Sequence, residues 1–259
     1  SIRRRQRQMC IRDSSLVLAG GLIAAILGPE VSRYSFDFFH DYIYLATYLF
    51  AAIIQIINFV ILIFIKIKKP QPSKKSHRAL SDILLQKNLI IAILAAAVGY
   101  SLMSFIMTAT PLQIVNVCKL GDSASATVIQ WHVIAMFAPS FFTGTIISSL
   151  GNRKVMMIGL FLYAFSISFT IIGQTIEHFW IALFLCGLGW NFLYVGGSDI
   201  IAKSAFPEER AKVQGVTDFI IFIFVATGSF LAGALHSSLG WEIMMFYTSI
   251  PILILFVSI

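Results

Sequence analysis

The chain has 259 residues, 58% of them hydrophobic and only 12% charged, with a mean hydropathy of +0.86 and a formal net charge of +7. A water-soluble domain carries roughly 25% charged residues, and a chain this apolar cannot hide its surface from water, which excludes a soluble enzyme or binding module. Its basic residues gather in particular loops instead of a stripe interleaved with aromatics, so the charge marks membrane sidedness and not a nucleic-acid partner.

Residues 1–14 open with Arg3-Arg4-Arg5 and break abruptly into an apolar run at Leu16. The stretch Met9 to Ser14 looks like translated adapter sequence, so 1–14 is set aside as a non-native leader. Eight apolar blocks follow, over 15–29, 43–65, 89–112, 126–148, 154–173, 178–199, 216–238 and 240–259. A helix needs about 20 residues to cross the hydrocarbon core, so the pattern predicts an all-α membrane protein with eight spans. The first block is short and the last runs off the end, which reads as a piece of something longer. Between the second and third, Lys68-Lys69-Pro70-Gln71-Pro72 is extended and solvated, and Arg78 to Lys87 is more helical. Segment 66–88 is thus a linker between two membrane domains, 15–65 and 89–259.

Of the 19 lysines and arginines, five fall in the leader and twelve of the rest lie in the loops 66–88, 149–154 and 200–215. Only Arg33 and Lys119 lie on the other side. The positive-inside rule puts the linker and the carboxyl terminus in the cytoplasm. Gly144 and Gly151 are expected to let two spans turn and approach closely at that face. Arg153 follows, and Asp199 falls about 6 Å inside the same boundary by helical rise. The pair is expected to act as a cytoplasmic gate contact, with a static interfacial ion pair as the plainer reading.

Polar side chains are costly in hydrocarbon and usually face the bundle interior or a wet cavity. Tyr100, Ser101, Ser104 and Thr108 line one face of the third span, and Gly187, Asn191, Tyr194 and Ser198 one face of the sixth, with Trp190 beside them. Tyr100 and Asn191 both lie about 18–20 Å from the nearest basic residue, near the midplane. Gln130, Trp131 and His132 sit toward the outer end of the fourth span. These nine, Tyr100, Ser104, Thr108, Gln130, Trp131, His132, Trp190, Asn191 and Tyr194, are the substrate-binding candidates, with Asn191 between its aromatic neighbours the first choice. Interhelical hydrogen bonding explains the hydroxyl stripes equally well, and His132 reads more readily as a satisfied interfacial histidine. Asp218 reads as a cap on the seventh span. Gly20, Ala24 and Gly28, and Ser229 with Gly233, read as packing surface. Cys10, Cys118 and Cys186 lack metal or disulfide spacing. There is no phosphate-cradling glycine loop with a lysine, no H-E-x-x-H and no G-x-S-x-G, so neither enzyme chemistry nor a cofactor is expected.

Three motifs carry a family resemblance. Gly144 to Lys154, in the turn between the fourth and fifth spans, looks like the second copy of the glycine, acid, glycine, arginine loop of the major facilitator superfamily, although Ser148 stands where the acid is usual. Phe206-Pro207-Glu208-Glu209-Arg210 with Gly215 resembles the proline, acid, arginine, glycine segment at the equivalent turn. Gly20-Gly21 with Leu27-Gly28-Pro29 is similar to the glycine and proline motif of the fifth helix. The resemblance implies helices five to twelve of a twelve-helix carrier in a bacterial inner membrane, working by alternating access and monomeric when complete. Gly99 to Pro111, Ile129 to His132, Phe137 to Gly144 and Gly189 to Gly197 resemble a branch associated with riboflavin uptake. A multidrug/proton antiporter, with a coupling proton, and a non-transporting receptor on the same scaffold are the alternatives.

Overall fold

The computed structural model describes residues 20–35, 38, 39, 41, 42, 44–66 and 78–259. The leader, the first residues of the first expected span and the Lys68–Lys75 part of the linker lie outside the described residues. The regular structure described is all helical: α1 through 20–35, α2 (Leu45–Phe64), a short α3 (Leu80–Leu84) and α4 (Lys87–Pro111), continued by a π-helical segment (Leu112–Val117). Then come α5 (Asp122–Phe137), α6 (Ser140–Leu150), α7 (Asn152–Ile172), α8 (Ile176–Ser204), α9 (Arg210–Leu239), α10 (Trp241–Tyr247) and α11 (Ser249–Ser258). Among the described residues six spans are long and apolar enough to cross a membrane, and α5 with α6, bent by 44°, makes a seventh.

Three expected elements differ in shape. The first span continues past Pro29 to residue 35. Proline disturbs the turn before it, and a neighbouring side chain can answer the carbonyls there; Gln130 donates to the carbonyl of Ile26 at 3.0 Å. The fourth span is broken at Ala138–Pro139, because Pro139 has no N–H to continue the ladder. The seventh begins at Arg210, so Asp218 lies two turns inside α9 and accepts from Gln214 one turn back (2.7 Å) instead of capping the helix.

α8 is the central helix, packed by α4, α5 and α7. It gets there by giving up side chains. A Cβ on Gly187 would stand 2.5 Å from the carbonyl oxygen of His132, one on Gly189 2.9 Å from that of Gly159, and one on Gly197 2.8 Å from that of Ala92. In lipid, where apolar surface gains nothing by leaving its solvent, close backbone approach is what holds helices together. By contrast Gly20, Gly28, Gly144 and Gly233 face open space. At Gly20, Gly28, Gly144 and Gly233 the described residues place no neighbour for the close approach expected of them. Gly151, at φ +84, does make the α6–α7 turn.

The described parts of the basic loops share one end of the bundle. Ile83, Leu89, Ile201, Ala205 and Val213 pack together there, bringing α3 and the start of α4 against the end of α8 and the start of α9. The Arg78 guanidinium grips the buried carboxylate of Glu209, with Phe206 beneath it at 4.3 Å. Hydrogen bonding to Glu209 raises the Arg78 pKa further above its ordinary value. At the other end Gln113 donates to Gln174 (2.7 Å) and accepts from His236 (2.9 Å), tying the π segment to the α7–α8 turn and the end of α9.

Candidate functional site

Counted along their helices, Tyr100 is thirteen residues from the start of α4, Trp190 fourteen from the end of α8 and Phe222 twelve from the start of α9. At 1.5 Å per residue all stand about 18–21 Å from the basic end, near the midplane of a 30 Å core. The rings meet there. Trp190 and Tyr194, one turn apart on α8, stack with centroids 5.1 Å apart and planes 8° from parallel. Tyr100 sets its edge to both, at 5.2 and 5.4 Å, and leans on Phe222 at 5.9 Å. Phe137, the last residue of α5, closes on Trp190 at 6.1 Å.

Trp190 is the floor of this cage, nearly buried, and its indole Nε1 has no hydrogen-bond partner. Tyr100 and Tyr194 are half-buried and Phe222 is exposed. A buried N–H without a partner costs about 1–3 kcal/mol, which an acceptor on a stacked solute would recover. Flat faces and one spare donor suit a planar, hydrogen-bonding solute.

The other candidates are placed elsewhere. Asn191 is fully buried and occupied by the protein: its Nδ2 donates to the Met136 carbonyl (2.7 Å) and to Ser140 Oγ (2.6 Å), and its Oδ1 accepts from Thr143 (2.7 Å). It therefore braces α8 against the α5–α6 break and presents nothing to a solute. Ser104 bonds Ser229 of α9 at 2.6 Å, and Thr108 is half-buried farther along α4. Gln130 reaches α1 through Ile26 and Glu30. Trp131 is exposed, edge-on to Trp180 at 5.7 Å. His132 is buried against the Leu183 carbonyl (2.7 Å), its Nε2 without a partner.

The expected Arg153–Asp199 contact is replaced. Asp199 is paired with Lys203, one turn on along its own helix, and accepts from Asn152 at 2.8 Å, while the Arg153 side chain, a turn of about 100° away from Asn152, is exposed. Toward the opposite end a cavity of about 790 Å³ lies between α1 and the α4–α5 connection, with Ser32, Arg33, Asp122, Ser123 and Ser125 in its wall. Arg33 reaches Glu30 (2.6 Å) and Thr127 (2.7 Å) there. Among the described residues no group of three His, Cys, Asp or Glu side chains is placed to hold a metal.

A helical bundle with its aromatic residues at mid-depth invites comparison with known carriers. Residues 114–259 match the Major Facilitator Superfamily. The chain belongs to that family. That family is one of multi-pass membrane transporters. It is 40% identical over 238 residues to the riboflavin transporter RfnT of Brucella anthropi, covering 90% of this chain and 60% of that protein. It is 34% identical over 169 residues to the uncharacterized transporter YdeG of Bacillus subtilis, covering 63% of this chain and 38% of that one. To YddS of the same organism it is 31% identical over 157 residues, covering 59% and 36%. The chain thus spans 60% of the length of RfnT and less of the other two.

Of the residues in the cage, sequence reasoning named Tyr100, Trp190 and Tyr194 and missed Phe222. On α9 that phenylalanine is one apolar residue among many, and only the tertiary fold distinguishes it. The bend carried a signal in Pro139.

Proposed function

We propose that the full protein is a secondary transporter of a planar, hydrogen-bonding solute of the riboflavin kind, held among Tyr100, Trp190 and Tyr194 and carried across by alternating access. The observation that carries this reading is the mid-depth aromatic cage with its spare indole donor, at the level where carriers of this kind bind their solutes. The relative named for riboflavin transport supports the class of solute.

In this reading residues 15–65 are two spans of the first half and 89–259 the six of the second, eight in all, corresponding to helices five to twelve. The linker, the basic end and the carboxyl terminus face the cytoplasm of a bacterial inner membrane, as the loop charges favour. The Gly151 turn and the Asn152, Asp199 and Lys203 group form the cytoplasmic gate, with Arg153 exposed beside it. The cavity by Arg33 is the outer approach. One copy does the work, and a proton is the coupling ion.

The test is uptake by the full-length protein in proteoliposomes. Riboflavin entry is expected to saturate, and Trp190→Ala to weaken binding about tenfold, the equivalent of about 1.4 kcal/mol, with Trp190→Phe in between. Unaltered uptake in Trp190→Ala would dismiss the cage. Dye extrusion without flavin entry would favour a multidrug/proton antiporter, and flavin binding without flux a receptor.

A further inference from the structure

We propose that Asn191 is the pin of a hinge: it holds α5 and α6 bent beneath the aromatic cage by capping a carbonyl that the bend exposes. The role of that hinge in transport rests on the function proposed above, whereas the pin itself does not.

Pro139 has no N–H to offer the carbonyl of Ala135. Past the break the backbone re-forms as Phe141 N–H to the Ala138 carbonyl (3.4 Å) and Phe142 N–H to that of Pro139 (2.9 Å). The Met136 carbonyl is answered from another helix, by Asn191 Nδ2 at 2.7 Å. The amide can be oriented only one way, because a carbonyl needs a donor. Its second N–H goes to Ser140 and its oxygen lies 2.7 Å from the Thr143 hydroxyl, whose single proton it shares with the Pro139 carbonyl (2.8 Å), so one side chain meets both arms of the bend. In hydrocarbon a broken helix persists only where neighbours satisfy its freed groups. The pin also adjoins the site: Trp190 precedes it on α8, and Phe137, on the near side of the break, touches Trp190 at 6.1 Å. A solute on Trp190 therefore presses on both the hinge and its neighbour in sequence. Asn191 acts as a positioning residue.

Spin labels at Ser123→Cys and Ser149→Cys, at the exposed outer ends of the two arms, measure the bend in the full-length protein. With 1.5 Å of rise per residue and a 44° bend, straightening lengthens their separation by about 2–3 Å. Asn191→Ala is expected to shift or broaden the distance distribution by that amount. Asn191→Asp, equal in size but offering Met136 an acceptor, should do the same. In a Pro139→Ala background, where Ala135 regains a donor, Asn191→Ala should add nothing, either to the distance or to riboflavin binding followed by flavin fluorescence. If the Asn191 variants do not fold alone, Pro139→Ala is expected to rescue them.

An unchanged distance distribution in a folded Asn191→Ala protein overturns the proposal. So does a loss of riboflavin affinity that is the same with and without Pro139, which marks a direct ligand contact, or a failure of the rescue. Absence of riboflavin binding in the parent protein would count against the proposed function and leave the distance result to decide the pin.

Discussion

α2 and α4 both present long unbroken apolar runs, yet no residue in the most apolar stretch of α2 is buried, against 67% in that of α4. The two helices also differ in side-chain size. α2 reads Leu, Ile, Phe and Tyr with only three alanines and no glycine, whereas α4 carries Ala95-Ala96-Ala97-Val98-Gly99 and meets α8 through them. Apolarity decides that a segment belongs in lipid. Small residues let α4 come close to α8 in the middle of the bundle, because dispersion and backbone contact reward only surfaces that can come close.

The first way to break this contrast is to add one methyl group in each region. Gly187→Ala and Gly197→Ala force a Cβ against a carbonyl oxygen at 2.5 and 2.8 Å. Each is expected to cost about 1–3 kcal/mol by overpacking, seen as a lower unfolding temperature in detergent. The second concerns the strap that runs between the two regions. Arg78→Ala leaves the buried Glu209 without its guanidinium, and limited trypsin digestion is expected to cut the 66–88 segment several-fold faster, with Glu209→Gln intermediate. At the small end, Gly20→Ala and Gly28→Ala meet open space and are expected to stay within about 0.5 kcal/mol of the parent. A large loss at Gly28 would mean that close packing governs α1 as well.

Six or seven of the spans were readable from sequence, though not their breaks, because a lipid core imposes a length on every apolar block. The shared basic end was readable because charge cannot easily cross that core. Trp190 and Tyr194 were legible as the aromatic flanks of Asn191, and Tyr100 by its depth, but their stacking on each other was not. What could not be read was which partner each polar group would choose. Asn191 has the composition of a ligand contact and the position of a brace, and only its bonds to the Met136 carbonyl and to Ser140 across the bend separate the two. Arg78 and Glu209 are 131 positions apart, and no local pattern joins them. Arg153 and Asn152 are neighbours in sequence, but a 100° step around the helix gave Asp199 to the amide.

The glycines of α8 also bear on how the protein can be probed. Where carbonyl oxygen and backbone already touch, a thiol has no room, so cysteine scanning and chemical labelling along this helix would report distortion at Gly187, Gly189 and Gly197 instead of access to water. Labels belong on α6 and the outer face of α9, whose side chains have slack. With α4, α5 and α7 each set backbone to backbone against α8, the alternating access proposed above would carry the four as one block.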